Sequence, residues 1–298
     1  MDISIIIPHK NSSNTLERLL LSIPSSIQSE VIVVDDNSNE NELSKLQTLQ
    51  NKFGFLLYKN EGLFAGGARN TGLKYATNKW ILFADSDDFF LSDAGDLLQV
   101  FENSEKDIVY FKIASCFSDT LEPAYRDKHI NALFDSYLTN DDEWLIRSRF
   151  TPPWSKLIKR DLIVQNNIKF EECEAGNDNW FSVNTGVLAK SIQIVQKPLY
   201  CVTVSSGSIT KTFSKSKFLS RFYSTLRVNR FLRLNNLGRY QLSVLYYIGR
   251  SYKFGALYPL KILYICIIYG GNPFIGFNKI FKIKKQVALR ESNTHIVK

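Results

Sequence analysis

Asp85-Ser86-Asp87-Asp88 close an apolar run, Trp80-Ile81-Leu82-Phe83-Ala84, that reads as a buried strand. Three carboxylates leaving one strand end repel one another, and such a cluster is sustained by a divalent cation or by several hydrogen-bond donors. Hard cations such as Mg²⁺ and Mn²⁺ prefer carboxylate oxygen and bridge it to substrate phosphates. Side chains alternate along an extended segment, so Asp85 and Asp87 share one side and Asp88 points the other way. Asp87 is the expected direct metal ligand, with Asp85 on the metal or on a ribose. An isolated D-x-D is most often a solvated turn; the strand before it and the elements around it favour the cation here.

Those elements follow a regular rhythm. Ile3-Ser4-Ile5-Ile6-Ile7, ended by Pro8, is a β-branched run, and Asn11 to Asn14 offer turn and cap residues before a helix at 15–21. Val31 to Val34 form a second strand, ended by Asp35-Asp36-Asn37-Ser38. A helix over 43–53, a strand over 55–58, and a glycine-rich turn with a short helix over 65–76 lead to the strand at 80–84. Strand alternating with helix predicts a parallel sheet in a doubly wound α/β layer. Such sheets bind ligands beyond the carboxyl ends of their strands, where Pro8, Asp35-Asp36 and Asp85-Asp87 all fall. No G-x-G-x-x-G follows the first strand and no G-x-x-x-x-G-K-[ST] occurs, which disfavours a dinucleotide site and a P-loop. Further strands are expected at 107–111, 192–195 and 199–204, with loop and helix over 120–150.

The 298 residues, 44% of them hydrophobic, suffice for a large core and two structural units. Cys116, Cys173, Cys201 and Cys266 are widely spaced, which argues against a zinc site or disulfide framework and fits a reducing compartment. Met1-Asp2-Ile3-Ser4 runs straight into a strand without the basic and apolar features of a secretory signal, so the protein is expected in the cytoplasm. The net charge of +8 divides sharply. Residues 1–210 hold 20 Lys+Arg against 28 Asp+Glu, a balance of −8, and 211–298 hold 17 against one, a balance of +16. Opposite charge on two pieces of one chain predicts two different partners.

Ser4-Ile5-Ile6-Ile7-Pro8-His9-Lys10-Asn11 and Val31-Ile32-Val33-Val34-Asp35-Asp36-Asn37-Ser38 resemble the first two strands of family 2 glycosyltransferases. Asn60-Glu61-Gly62, Ala68-Arg69-Asn70-Thr71-Gly72, Asp85-Ser86-Asp87-Asp88, Trp154-Ser155-Lys156-Leu157, Asn177-Asp178-Asn179-Trp180-Phe181 and Gly207-Ser208-Ile209-Thr210 follow in family order. Each is weak alone; as an ordered set over residues 1–212 they are specific. The resemblance implies a GT-A fold with a mixed α/β sheet, a nucleotide-sugar donor, Mn²⁺ or Mg²⁺, and inversion at the anomeric carbon. Two departures are Lys10, where the family carries an aromatic, and Asn177, where its acidic pair is Glu-Asp.

By this resemblance Pro8, Asn11, Asp36, Arg69, Asp85 and Ser86 bind the donor, and Asp85 and Asp87 hold the metal. Asp36 would accept from the nucleotide base, while Asp35 caps its turn. Arg69, after Gly66-Gly67, would reach the phosphates, or would pair with Asp85 and neutralise the site. Asp178 would be the base that takes the acceptor's proton, and a helix start also suits an ionised carboxylate. Trp154 would stack on a sugar. Lys156, Ser208, Thr210 and Lys211 would hold the diphosphate from a mobile loop, with Asn177 near the acceptor.

The expected organisation is 1–104 as the nucleotide-sugar half, 105–212 as the acceptor half, and 213–298 as a helical basic-aromatic region. In that region the apolar run 256–269 contains Pro259 and Lys261 and is too short to span a bilayer. It reads as an interfacial helix on the inner face of the plasma membrane rather than a nucleic-acid binder. A cap on the catalytic unit and a homodimer contact are its alternatives. The expected activity is sugar transfer from a UDP-sugar to a polyprenyl-diphosphate-linked or other glycan in bacterial surface polysaccharide synthesis. The rivals are a nucleotidyltransferase and an inactive sugar-nucleotide-binding scaffold subunit.

Overall fold

The computed structural model describes residues 1–204 and 214–276. The chain divides into two units, Met1–Cys173 with Asn177–Ser205, and Glu174–Gly176 with Ser206–Lys298.

The first unit opens with β1 (Asp2–His9), α1 (Ser13–Ser22), β2 (Gln28–Asp35), α2 (Glu40–Phe53), β3 (Leu56–Lys59), α3 (Phe64–Tyr75) and β4 (Trp80–Phe83). It continues through β5 (Phe89–Phe90), α4 (Ala94–Gln99), β6 (Ile108–Phe117), α5 (Lys128–Asn140), α6 (Glu143–Arg149), β7 (Lys156–Lys159), α7 (Arg160–Gln165), α8 (Asn177–Leu188) and β8 (Ile192–Val204). Among the described residues eight strands form one sheet, in the order β3-β2-β1-β4-β7-β6-β8-β5. The first four are mutually parallel, and β7 runs antiparallel to both β4 and β6. Ile3, Ile5, Ile6 and Ile7 of β1 and the whole of β4 are buried. Strands covered on both faces need such unbroken apolar runs. Because β1, β2 and β4 are parallel, their carboxyl ends emerge at one edge and bring Pro8, Asp36 and Asp85 to it.

Segments 1–104 and 105–212 both supply strands to this sheet. The two strands expected at 192–195 and 199–204 are one, β8. Its register against β6 slips at Phe111/Lys112, which absorbs Pro198 as an irregularity within the strand. The short strands β5 and β7 carried no periodic signal and were not expected.

The second unit contains α9 (Lys215–Leu234), α10 (Leu245–Arg250) and α11 (Tyr258–Ile268). Ser214 caps α9 by accepting from the Lys217 amide. Phe218, Phe222, Leu226, Val244, Ile262 and Cys266 form its core. Among the described residues no helix is long and apolar enough to cross a membrane.

Candidate active site

Ala84 follows β4 and donates to the Ile6 carbonyl at 3.1 Å, which holds the exit of β4 against β1. The chain then turns sharply, and the Asp88 amide donates to the Asp85 carbonyl at 3.0 Å. The acidic segment is therefore a turn and not the extended stretch expected. One carboxylate oxygen from each of Asp85, Asp87 and Asp88 lies within 4.8 Å of the others. Asp88 is buried and accepts from the Thr203 amide at 2.7 Å; Asp87 is exposed and Asp85 intermediate. The crowded turn raises the Asp87 carboxyl above its usual range, partial loss of solvent around that carboxyl first and then the Asp85 charge. Burial, then Asp87 and Asp85, pushes Asp88 up well above it. Crowding of like charge of this kind is relieved by a cation, and the all-oxygen donor set suits Mg²⁺ or Mn²⁺.

Three residues that the sequence did not single out pin this turn. The Tyr200 hydroxyl accepts from the Asp85 amide at 2.8 Å, and Thr203 Oγ1 donates to the Asp87 carbonyl at 2.8 Å. Arg18 of α1 donates to that same carbonyl. Tyr200 and Thr203 belong to β8, more than a hundred residues along the chain, so only strand pairing brings them here.

Arg69 lies in α3 and is 4% exposed. Its Nη2 donates to Asp85 at 2.6 Å, and its Nη1 to Asp178 at 2.8 Å and Asn177 at 3.3 Å. Burial opposes its charge, but Asp178 and Asp85 outweigh that and its pKa ends above the ordinary value. Arg69 thus takes the neutralising role, since both terminal nitrogens already face carboxylates. Gly66 and Gly67 serve the fold rather than a ligand. A Cβ at Gly66 would run into the Glu171 carbonyl oxygen, and one at Gly67 would sit 2.7 Å from the Gly62 backbone.

Asn177 and Asp178 begin α8. Burial raises the Asp178 carboxyl; Arg69 draws it back down and Asp85 adds to the rise. Lys156 corrects an expectation. It is in β7, not in a loop, and is wholly buried, donating to the Phe150 carbonyl at 2.6 Å beside the Phe150 and Tyr110 rings. Burial pushes its amine well below the usual lysine range. A side chain enclosed this way cannot present itself to a diphosphate in solvent. Trp154 is also a core residue: 5% exposed, stacked on Tyr200 and edge-on to Phe150, it offers no open face to a sugar. Ser208, Thr210 and Lys211 lie outside the described residues.

At the neighbouring rim, Asp36 accepts from Asn60 Nδ2 at 2.6 Å and lies 3.5 Å from Lys10 Nζ. Asn60 also donates to the Phe64 carbonyl at the start of α3, so the helix carrying Arg69 is tied to Asp36. Asp35 accepts from the Ser38 amide at 3.1 Å and caps the turn. His9 Nδ1 lies 3.1 Å from Asp35 while its Nε2 accepts from the Ser12 amide, the pattern of a neutral ring donating to Asp35. Asn11, at φ +50°, donates its amide to Ser38 Oγ and accepts from the Asn39 amide. Asparagine tolerates this left-handed geometry. Ser86 Oγ is 2.8 Å from Ser12 Oγ, and Pro8 pairs with Val34.

The sequence and the fold match known proteins. Residues 4–165 match the model of "Glycosyl transferase family 2". The chain is 30% identical over 207 residues to the poly(ribitol-phosphate) beta-glucosyltransferase of Bacillus spizizenii, covering 65% of this chain and 31% of that protein. It therefore spans about a third of that relative. By structure it resembles S. aureus TarS 1-349 in complex with UDP-GlcNAc, with TM-score 0.62, 20% identity, and 85% and 73% of the two chains covered. It also resembles mannosyltransferase PcManGT from Pyrobaculum calidifontis in complex with GDP-Man and Mn²⁺, with TM-score 0.54, 13% identity, and 98% and 81% covered. At these identities the structural likeness speaks for the fold, which is GT-A. With a family model spanning more than half its length and strands, acidic turn and Asp178 assembled on that fold, the chain belongs to glycosyl transferase family 2 and is a glycosyltransferase.

Proposed function

We propose that the protein is an inverting, divalent-metal-dependent transferase that moves a sugar from a UDP-sugar to a hydroxyl of a glycan acceptor in bacterial surface polysaccharide synthesis. One observation carries the reading: a single buried guanidinium joins Asp85 of the acidic turn to Asp178 at the start of α8, 2.6 and 2.8 Å away. A metal-binding turn and a base for the acceptor must lie on either side of one anomeric carbon, and this pairing brings them together.

Asp85 and Asp87 would hold Mn²⁺ or Mg²⁺, while Asp88, engaged by Thr203, shapes the turn. The bound cation supplies Lewis-acid stabilisation of the leaving diphosphate. Asp178 takes the proton of the attacking hydroxyl on the face opposite the leaving group, which inverts configuration. Arg69 holds Asp178 ionised and oriented. Asp36, fixed by Asn60, accepts from the nucleotide base, with Pro8, Asn11 and Ser86 shaping the donor rim. The relative named for glucose transfer to poly(ribitol-phosphate) and the neighbour solved with UDP-GlcNAc support the donor and a cell-surface acceptor. The neighbour solved with Mn²⁺ supports the cation.

Asp178→Asn tests the reading. Transfer should fall at least about 100-fold, the scale of a lost general base, while UDP with Mn²⁺ still raises the melting temperature. Full activity would remove Asp178 from the chemistry. Chelation by EDTA should stop turnover and Mn²⁺ should restore it; an unchanged rate would remove the metal.

A further inference from the structure

The second unit carries a helix whose residues are all apolar but for Lys261, and which is covered on only one side. In α11 Ile262 and Cys266 are buried against Phe218, Phe222, Leu226 and Val244. On its other side Leu260, Tyr264, Ile267 and Ile268 are 58–65% exposed, and Leu257 just before it is 76% exposed. These positions recur at the three- and four-residue spacing of one helical face. A helix apolar all round belongs in a core or in lipid, and an exposed contiguous apolar patch marks an interaction site.

Charge selects the occupant. Residues 214–276 contain ten Lys+Arg and no Asp or Glu. Lys261, on α11, is itself exposed. The same face of a second copy would bring the same charge to the contact and be repelled. Nucleic acid would answer the cations but leave the aliphatic face in water. An anionic bilayer surface satisfies both. Eleven residues of helix rise about 16 Å, roughly half the hydrocarbon thickness of ~30 Å, so α11 would lie in the interface and not cross it. Tyr264, 65% exposed on this face, has the amphipathic ring that settles at headgroup depth.

We propose that the outward face of α11, formed by Leu257, Leu260, Tyr264, Ile267 and Ile268, docks on an anionic lipid bilayer. The docking stands independently of the transfer chemistry, and its test reads no transfer.

The test is sedimentation of the full-length protein with vesicles of phosphatidylcholine alone and with added phosphatidylglycerol. Binding should require the anionic lipid and fall about fivefold for each cation screened as salt is raised. Leu260→Glu with Ile267→Glu should lower partitioning at least about tenfold without lowering the melting temperature, since both side chains are exposed. As a milder probe, Tyr264→Trp should show a blue-shifted emission only with anionic vesicles. No binding, equal binding to neutral vesicles, or binding untouched by the double variant would each overturn the proposal. So would a dimer in solution that the double variant dissociates, because the face would then be a contact between copies.

Discussion

Arg69 is the residue whose loss the site should feel most. Without it, Asp85 and Asp178 face each other as half-buried carboxylates with no cation between them. Removing one partner of an ion pair leaves the other side uncompensated, so Arg69→Met should lower stability by about 2–3 kcal/mol, allowing for the carboxylates' partial exposure. Urea unfolding measures this, and adding Asp85→Asn should recover part of it as the remaining repulsion is removed. The pH profile gives a second reading. The base must be ionised to act, and burial already holds Asp178 above the ordinary aspartate range. Activity should therefore fall on acidification through that raised value. Arg69 draws the value down, so Arg69→Lys, which cannot span both carboxylates, should move the acid limb of kcat/KM to higher pH. An unmoved limb would separate Arg69 from the base. The sequence made the identities of these residues legible but not their pairing. Arg69 and Asp178 are 109 residues apart, and no local pattern specifies that contact. The same blindness explains Lys156 and Trp154: a lysine and an indole next to a turn look like ligand contacts until β7 slots between β4 and β6 and encloses them.

At the scale of elements, strand ends were readable because burial on both faces forces apolar runs and the chain punctuates them with Pro8, Asp35-Asp36 and Asp85. The unreadable part was how helices approach the sheet. Gly66 and Gly72 lie inside α3, where glycine costs about 1 kcal/mol relative to alanine, and propensity alone favours replacing them. The packing says the opposite. A Cβ at Gly66 meets the Glu171 carbonyl oxygen, and one at Gly72 meets the Ile6 side chain. Gly66→Ala should destabilise by about 1–3 kcal/mol through overpacking, and thermal melts would detect it; a stabilised variant would mean that the Glu171 segment yields. The pairing of α1 with α2 has a pH signature. Glu42 of α2 accepts from the Ser13 amide at 3.0 Å at the start of α1, and from Lys45 at 2.9 Å. Those bonds lower its pKa from 4.5 to about 2. A carboxyl depressed by folding stabilises the protein above its unfolded pKa, and that contribution is lost as pH falls toward the folded value. Glu42→Gln should then cost about 1 kcal/mol at neutral pH. The variant and the parent should converge between about pH 4.5 and 2.

Across the whole molecule, the charge changes sign near residue 210, and the chain divides into two units near the same point. The sheet unit is built on Ile3, Ile5, Trp80, Phe83 and their neighbours, whereas among the described residues the second unit has a separate, smaller cluster around Phe218, Phe222 and Ile262. What the composition did not disclose was how small that second core is, since its many aromatic and aliphatic residues include several left exposed. Stability scales with apolar area removed from water, so the second unit should melt at a lower temperature than the first. Calorimetry of the full chain should resolve two transitions, where a single two-state domain would give one with equal calorimetric and van't Hoff enthalpies. Each transition should answer to its own ligand. On the proposed function UDP with Mn²⁺ would bind the native sheet unit only; at 100 times its Kd it would add about 2.7 kcal/mol, a rise of roughly 5–10 °C for a unit of this size. That rise should appear in the upper transition and leave the lower one in place, and anionic vesicles should do the reverse. One transition, shifted as a whole by either ligand, would show that the two cores unfold together.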